Sequence, residues 1–209
     1  MLIIIFKTVK IGNQVWMAEN LRTTKYRNGG IISEITSNTS WEIITTGARS
    51  DYNNRDVYGT NFGHLYNWLA VSNINNLAPA GWHVATDEDW TTLENFLIVN
   101  GGNWDGSLTG DKIAKSIASN NLWNSSATEG IMGNEPTLNN LTGFCAYPGG
   151  FRLFSGTFNG VGMNCQWWTA TEASSTHAWN RYLGIDAGSG LGRGSYDKNG
   201  GFYVCCVKD

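Results

Sequence analysis

Hydrophobic and polar positions along this chain follow two periods, and the clearest pattern lies near its end. In residues 202–207 successive side chains point to opposite faces, Phe202, Val204 and Cys206 against Tyr203, Cys205 and Val207, so both faces require cover. A strand apolar on both sides belongs inside a sheet. Residues 167–172, Trp-Trp-Thr-Ala-Thr-Glu, form a second strand candidate of β-branched and aromatic residues. Between the two lies a polar, glycine-broken stretch, residues 173–201, which reads as a display loop on that scaffold.

The rest of the chain divides in order. Leu2-Ile3-Ile4-Ile5-Phe6 predicts a first strand, being too short for a signal-peptide core or a membrane span. Residues 8–11 and 14–17 flank Gly12-Asn13, a two-residue loop that predicts a β-hairpin. Residues 28–54 lose periodicity and predict a long irregular excursion anchored by Trp41 and Ile43-Ile44. Leu65, Trp68, Leu69 and Ser72 at helical spacing predict a helix over 61–72, with Asn61 able to cap it. The strongest helix signal follows Thr86: a good N-cap, then Asp87, Glu88 and Asp89 in the first turn, then Trp90, Leu93 and Leu97 on one face, with Gly101 as the stop. A shorter helix is expected over 111–119 and a loop around Trp123 and Pro136 over 121–141. Strands at 150–154, 167–171 and 179–185, with a turn at Ser155-Gly156, lead to the terminal strand.

Composition narrows the classes of function. At 209 residues with 41% hydrophobic positions and 10 Trp, the chain suits one domain around one core. Its 14 Lys and Arg against 17 Asp and Glu form no basic cluster, which argues against a nucleic-acid partner. No stretch reaches the length of a membrane span, so membrane insertion is not expected. The cysteines, Cys145, Cys165, Cys205 and Cys206, have no Cys-x-x-Cys spacing, and Cys205 and Cys206 face opposite ways on one strand, so buried free thiols are expected. His64, His83 and His177 lack metal-ligand spacing and read as structural or surface residues, and Asp87-Glu88-Asp89 reads as helix-start charge. No nucleophile elbow, phosphate loop or dinucleotide fingerprint is present, so neither cofactor, metal nor catalytic set is expected.

Several pieces read together resemble the Fibrobacter succinogenes major paralogous domain. They are Gly12-Asn13-Gln14-Val15-Trp16-Met17-Ala18-Glu19-Asn20-Leu21, Tyr58-Gly59, Leu65-Tyr66-Asn67-Trp68, and Ala78-Pro79-Ala80-Gly81-Trp82-His83-Val84-Ala85-Thr86. Gly143-Phe144, Pro148-Gly149-Gly150-Phe151-Arg152, Trp168-Thr169-Ala170-Thr171-Glu172 and Val207-Lys208-Asp209 continue the match over nearly the whole chain. The resemblance implies an α+β, C-type lectin-like fold spanning residues 1–209: small antiparallel sheets, two main helices, long loops and paired N- and C-terminal strands. It therefore implies that residues 202–207 pair with the chain around residues 3–9. The family usually ends in Arg-Cys-Val where this chain has Cys205-Cys206-Val207, so any ion pair of that arginine is absent.

The same family is similar to variable proteins of diversity-generating retroelements, and residues 151–196 resemble their rewritten segment. Residues reachable from Asn codons, Asn164, Ser174, Ser175, His177, Asn180, Asp186, Ser189, Ser195 and Tyr196, alternate there with Trp167, Trp168 and glycines. The display region is placed at about residues 151–200. Trp, Tyr and Arg beside Ser, Gly and Asn are the mixture used by recognition surfaces. The expected ligand face is Asn164, Gln166, His177, Trp179, Asn180, Arg181, Arg193, Ser195 and Tyr196, presented to a protein or glycan on a cell surface. Trp168 is expected in the core. A cell-surface adhesin or carbohydrate-binding domain of the Bacteroidota type is the alternative, with a formylglycine-generating-enzyme-like oxidase using Cys165 and Cys205 or Cys206 ranked last. Asn134-Glu135-Pro136 and Trp179-Asn180-Arg181 depart from the calcium-dependent sugar motifs of true C-type lectins.

Overall fold

The computed structural model describes residues 6–209. It is a mixed α+β fold with three small sheets, and the strand expected at residues 2–6 lies outside the described residues except for Phe6, which is not in a strand. The hairpin forms as β1 (Thr8–Ile11) and β2 (Gln14–Met17), paired from Thr8↔Met17 to Ile11↔Gln14. Gly12 takes the required positive φ of 61°. The second sheet pair, β3 (Ser33–Glu34) and β4 (Ala48–Ser50), is parallel, and β4 is antiparallel to β5 (Leu65–Tyr66). Short helices α1 (Asn38–Glu42), α2 (Asp56–Phe62) and α3 (Trp68–Val71) surround this sheet.

After β6 (Trp82–Val84) comes the main helix, α4 (Asp87–Val99), and then α5 (Ala114–Ile117). Helix α4 starts as its sequence dictates. Thr86 Oγ1 accepts from the Asp89 N–H at 3.1 Å, and Asp89 Oδ2 accepts from the Thr86 N–H at 2.8 Å, a reciprocal capping box. Trp90, Leu93 and Leu97 are buried along one face, as the spacing predicts. A five-stranded sheet of β7 (Gly149–Arg152), β8 (Phe158–Val161), β9 (Asn164–Glu172), β10 (His177–Gly184) and β11 (Gly192–Asp197) follows, in the order β11-β10-β9-β7-β8.

The terminal segment is fully buried from Phe202 to Val207, as an apolar run on both faces demands, but it is not one continuous strand. Only β12 (Cys206–Lys208) is a strand, lying between β2 and β6 with Val207 opposite Trp16 and Cys206 opposite Val84. Its partner is the second strand of the hairpin, and β1 is the edge strand beyond it. The pairing expected around residues 3–9 is corrected accordingly. Before β12 the chain makes single bridges: Gly201 to Arg152, Phe202 to Tyr66 and Tyr203 to Trp167. The eight residues from Gly201 to Lys208 thus reach all three sheets.

Four rings tie β2, α4, β9 and the loop before β7 into the core. Trp90 lies 4.8 Å from Trp16, 5.1 Å from Trp167 and 5.7 Å from Phe144, ring centre to ring centre. These separations suit tilted and edge-on aromatic packing. A second cluster forms around Phe202, with Trp168 at 4.4 Å and Tyr196 at 5.2 Å.

Other elements differ from the sequence pattern. The helix expected over 61–72 is broken at Gly63, whose φ of 90° is left-handed and whose added Cβ would sit 2.7 Å from the Asn20 Cβ. Leu65 and Tyr66 extend instead to complete a sheet, and Asn67, not Asn61, caps the following turn by accepting from the Ala70 N–H. The helix over 111–119 shrinks to α5 because Ala118 bridges Ala146. Trp41 is buried as an anchor, whereas Ile43 is exposed. Within the stretch over 173–201 the strand expected at 179–185 forms as part of β10, and residues 192–197, read as loop, form β11 paired with it.

Cutting Leu93 back to alanine, Leu93→Ala, removes a fully buried side chain and is expected to cost about 2–5 kcal/mol, read as a lower denaturant midpoint at unchanged slope.

Candidate ligand-binding face

Strand alternation sorts the candidate residues onto two faces of the five-stranded sheet. The register pairs Gln166 with Tyr182 and Tyr182 with Gly192, Asn164 with Gly184, and Asn180 with both Trp168 and Gly194. Residues opposite each other share a face. Asn164, Gln166, Asn180, Tyr182 and Tyr196 therefore form one side. Trp179, Arg181, Arg193 and Ser195 form the other, which packs on α4.

The first side is low in relief because glycines leave room for its side chains to lie down. A Cβ at Gly192 would sit 2.3 Å from the Tyr182 ring, and one at Gly194 would sit 3.1 Å from Asn180 Oδ1. Asn164 lies between two such gaps, with its Oδ1 2.6 Å from a Cβ at Gly184 and its Nδ2 2.8 Å from one at Gly160. Asn180 Nδ2 donates to Gln166 Oε1 at 3.3 Å. Asn164, Gln166, Tyr182 and Tyr196 are half-buried, while Asn180 is only 4% exposed and serves as a floor under Gln166. Burial pushes the Tyr196 phenol above its ordinary pKa, so it stays a neutral donor. Tyr182, absent from the sequence-derived set, belongs to this side. Its signal was two-residue alternation with Asn180 along the strand expected at 179–185.

The second side is occupied by the protein itself. Arg181 is 2% exposed, so it is withdrawn from the ligand surface expected of it. Its Nε donates to Asp87 Oδ1 at 2.8 Å, Nη1 to Glu94 Oε2 at 2.9 Å, and Nη2 to the Asp87 carbonyl at 3.1 Å and to Thr91 Oγ1 at 2.7 Å. Arg193 stacks on Trp179, 3.4 Å from its ring centre, and its Nε donates to Asp87 Oδ2 at 2.9 Å. Arg193 and Ser195 are exposed beside the start of α4, and Trp179 is half-buried. His177 is exposed at the β9–β10 turn, where its Nδ1 meets Thr176 Oγ1 at 2.9 Å. The set named from sequence is therefore three groups: a face, a helix clamp and a turn.

The other histidines and the cysteines lie elsewhere. His64 sits just before β5 and not in a helix, with Nδ1 2.5 Å from Asp51 Oδ1 in a cleft of about 440 Å³. Gly59 is required there, since its Cβ would fall 2.2 Å from that carboxylate oxygen. His83 lies between Asp89 and Asp209. Among the described residues no three His, Cys, Asp or Glu side chains gather to hold a metal. All four cysteines are free. Burial raises the thiol pKa of Cys165, Cys205 and Cys206, the last to about 12, and Cys205 Sγ donates to the Met17 carbonyl at 3.2 Å. Cys145 is half-buried.

The Arg181 cluster sets an electrostatic test. Burial alone would raise the Asp87 carboxyl, but the hydrogen bond from Arg193 and the charge of Arg181 outweigh it and hold it below its ordinary pKa. Burial and the neighbouring Asp111 charge raise Glu94 despite Arg181. Asp87 thus stabilises the fold above the ordinary carboxylate pKa and loses that contribution as pH falls through its own lowered value; Glu94 acts in the opposite sense, losing stability as pH rises through its raised value. Arg181→Met leaves two carboxylates beneath the sheet without their shared cation and is expected to cost about 3–5 kcal/mol at neutral pH. Glu94→Gln is expected to cost far less. Thermal melts of both variants from pH 3 to pH 8 check the order, and the Arg181→Met deficit should narrow toward acid pH.

No curated protein and no solved structure matches the chain. A family model described as the Fibrobacter succinogenes major domain matches residues 9–208, which includes every strand of the candidate face and the terminal segment that supports it. The chain belongs to the Fibrobacter succinogenes major domain family.

Proposed function

We propose that this chain is a non-catalytic binding module that presents the Asn164, Gln166, Tyr182 and Tyr196 side of its five-stranded sheet, with the β9–β10 turn, to a protein or glycan on a cell surface. The observation that carries the reading is the glycine-relieved face: amide and phenol groups lie half-exposed on it beside the fully buried Trp168, with Trp167 buried on the opposite side. Tyrosine and asparagine supply contact area and adaptable hydrogen bonds at low ordering cost. Sealed thiols of raised pKa weigh against the oxidase alternative, because a nucleophilic cysteine needs access and a stabilised thiolate.

A C-type lectin-like arrangement agrees with the N-terminal hairpin and the C-terminal strand sharing one sheet. The narrower reading, a variable protein of a diversity-generating retroelement, draws on where the Asn-codon residues fall. Asn164 and Tyr196 are on the face, Ser174, Ser175 and His177 at or beside the β9–β10 turn, and Asp186 and Ser189 in the β10–β11 connection. Trp167 and Trp168 between them are scaffold.

The test changes Gln166→Ala, His177→Ala and Tyr182→Ala together. Substitutions away from the core cost within about 0.5 kcal/mol each, so the melting temperature should move only slightly while binding on protein and glycan arrays is lost. Equal array signals for the wild type and the triple variant would place the ligand elsewhere. Melting with calcium and with a chelator separates a calcium lectin, which gains RT ln(1 + [L]/Kd) of stability from the ion.

A further inference from the structure

A cleft of about 470 Å³ opens between the end of α4, α5 and the loop before β7, and shares no lining residue with the display face. Its size lies within the roughly 300–1,000 Å³ usual for small-molecule sites. Trp104 forms one wall and is 40% exposed. The indole is set by its neighbour: a Cβ on Gly130 would lie 2.2 Å from Nε1, 2.4 Å from Cε2 and 2.8 Å from Cδ1, which places that glycine against the face of the pyrrole ring.

The floor holds a cation. Lys115 is only 6% exposed, and its Nζ donates to the carbonyls of Asn134 and of Glu135, the latter at 3.3 Å. No carboxylate of the described residues lies within ion-pair distance of it. An ammonium carries three donors, so one remains for a ligand. Burial lowers its pKa from the ordinary value. The Glu135 carbonyl is aimed there by a left-handed backbone, φ 45° and ψ 62°, a conformation a non-glycine residue adopts at a cost. Exposed Glu129 and Glu135 at the rim supply acceptors, and exposed Leu138 and Leu141 supply an apolar edge.

We propose that this cleft is a second binding site, for a pyranose sugar stacked on Trp104 with its hydroxyls shared between the Lys115 ammonium and the Glu129 carboxylate. A pyranose is apolar on its C–H face and carries both donors and acceptors at its edge. That combination matches a part-exposed indole lining a cleft with one cation and two carboxylates. A phosphate group fits poorly, since the two rim carboxylates outnumber the single buried cation.

The experiment is a glycan array of neutral and uronic-acid oligosaccharides probed with the intact chain, Trp104→Ala, Trp104→Phe, Glu129→Gln and the triple display-face variant. The wild type should bind a subset of pyranose spots. Trp104→Ala should lower those signals about tenfold, with Trp104→Phe restoring part of them through its ring. The display-face variant should keep these same signals, which distinguishes this site from the sheet face. If Trp104→Ala fails to fold, Glu129→Gln, changed at an exposed rim position, should weaken the same spots. Absence of pyranose binding by the wild type, unchanged binding by a folded Trp104→Ala, or loss of the same spots in the display-face variant would each overturn the proposal. With Trp104→Ala unfolded, unchanged binding by Glu129→Gln would overturn it too.

Discussion

A buried peptide group must find a hydrogen-bond partner, and in this molecule the residues that do so most widely are 201–209. Gly201 exchanges bonds with Arg152, Phe202 with Tyr66, and the Tyr203 carbonyl accepts from the Trp168 N–H at 3.0 Å. The Val204 carbonyl accepts from the Leu21 N–H at 2.8 Å and the Cys205 carbonyl from the Ala85 N–H at 3.0 Å, before β12 enters its sheet. From Gly201 to Cys205 each residue bonds a different part of the chain. Side-chain identity matters less here than size and apolarity, which explains how two adjacent cysteines serve as well as other small buried residues. Tyr203 adds one specific bond, donating its hydroxyl to the Gly149 carbonyl at 2.9 Å.

The five-stranded sheet depends on a second constraint, the attachment of its inner side to α4. Arg181 provides this with four hydrogen bonds from a planar, fully buried guanidinium, and Arg193 stacks above Trp179 to hold the outer oxygen of Asp87. The same carboxylate that begins the helix thereby fixes two strands. With the inner side committed in this way, the half-exposed Gln166 and Tyr182 of the outer side are the positions left for polar contacts, whereas Tyr196 also packs on Phe202.

Local chemistry was the legible part of the sequence. The hairpin at Gly12-Asn13, the capping box at Thr86 and Asp89, the buried face of Trp90, Leu93 and Leu97, and the core position of Trp168 all depend on residues close in the chain. Tertiary demands overrode the rest. Leu65 and Tyr66 have helical spacing but are consumed as a strand by β4 and Phe202, contacts that no local window contains. The glycines over 173–201 signalled a loop, whereas Gly192 and Gly194 are vacancies beneath Tyr182 and Asn180 on a neighbouring strand. Arg181 looked like a recognition residue because its carboxylate partners lie 94 and 87 positions earlier, on a helix whose acidic start was already explained by its dipole.

The position of the sealing segment has a consequence for how the molecule is made. Trp16 waits for Val207, almost the whole chain away, and the sheets of β5, β6 and β9 wait for the same residues. Synthesis supplies that stretch after every surface it must cover. Until it emerges, the nascent chain holds open strand edges and uncovered tryptophans, the features that recruit holding chaperones. Closing so long a loop is slow, since its entropy is lost before its contacts form. Assembly of the three sheets is therefore set by the arrival of a few residues that follow all of their partners in the chain.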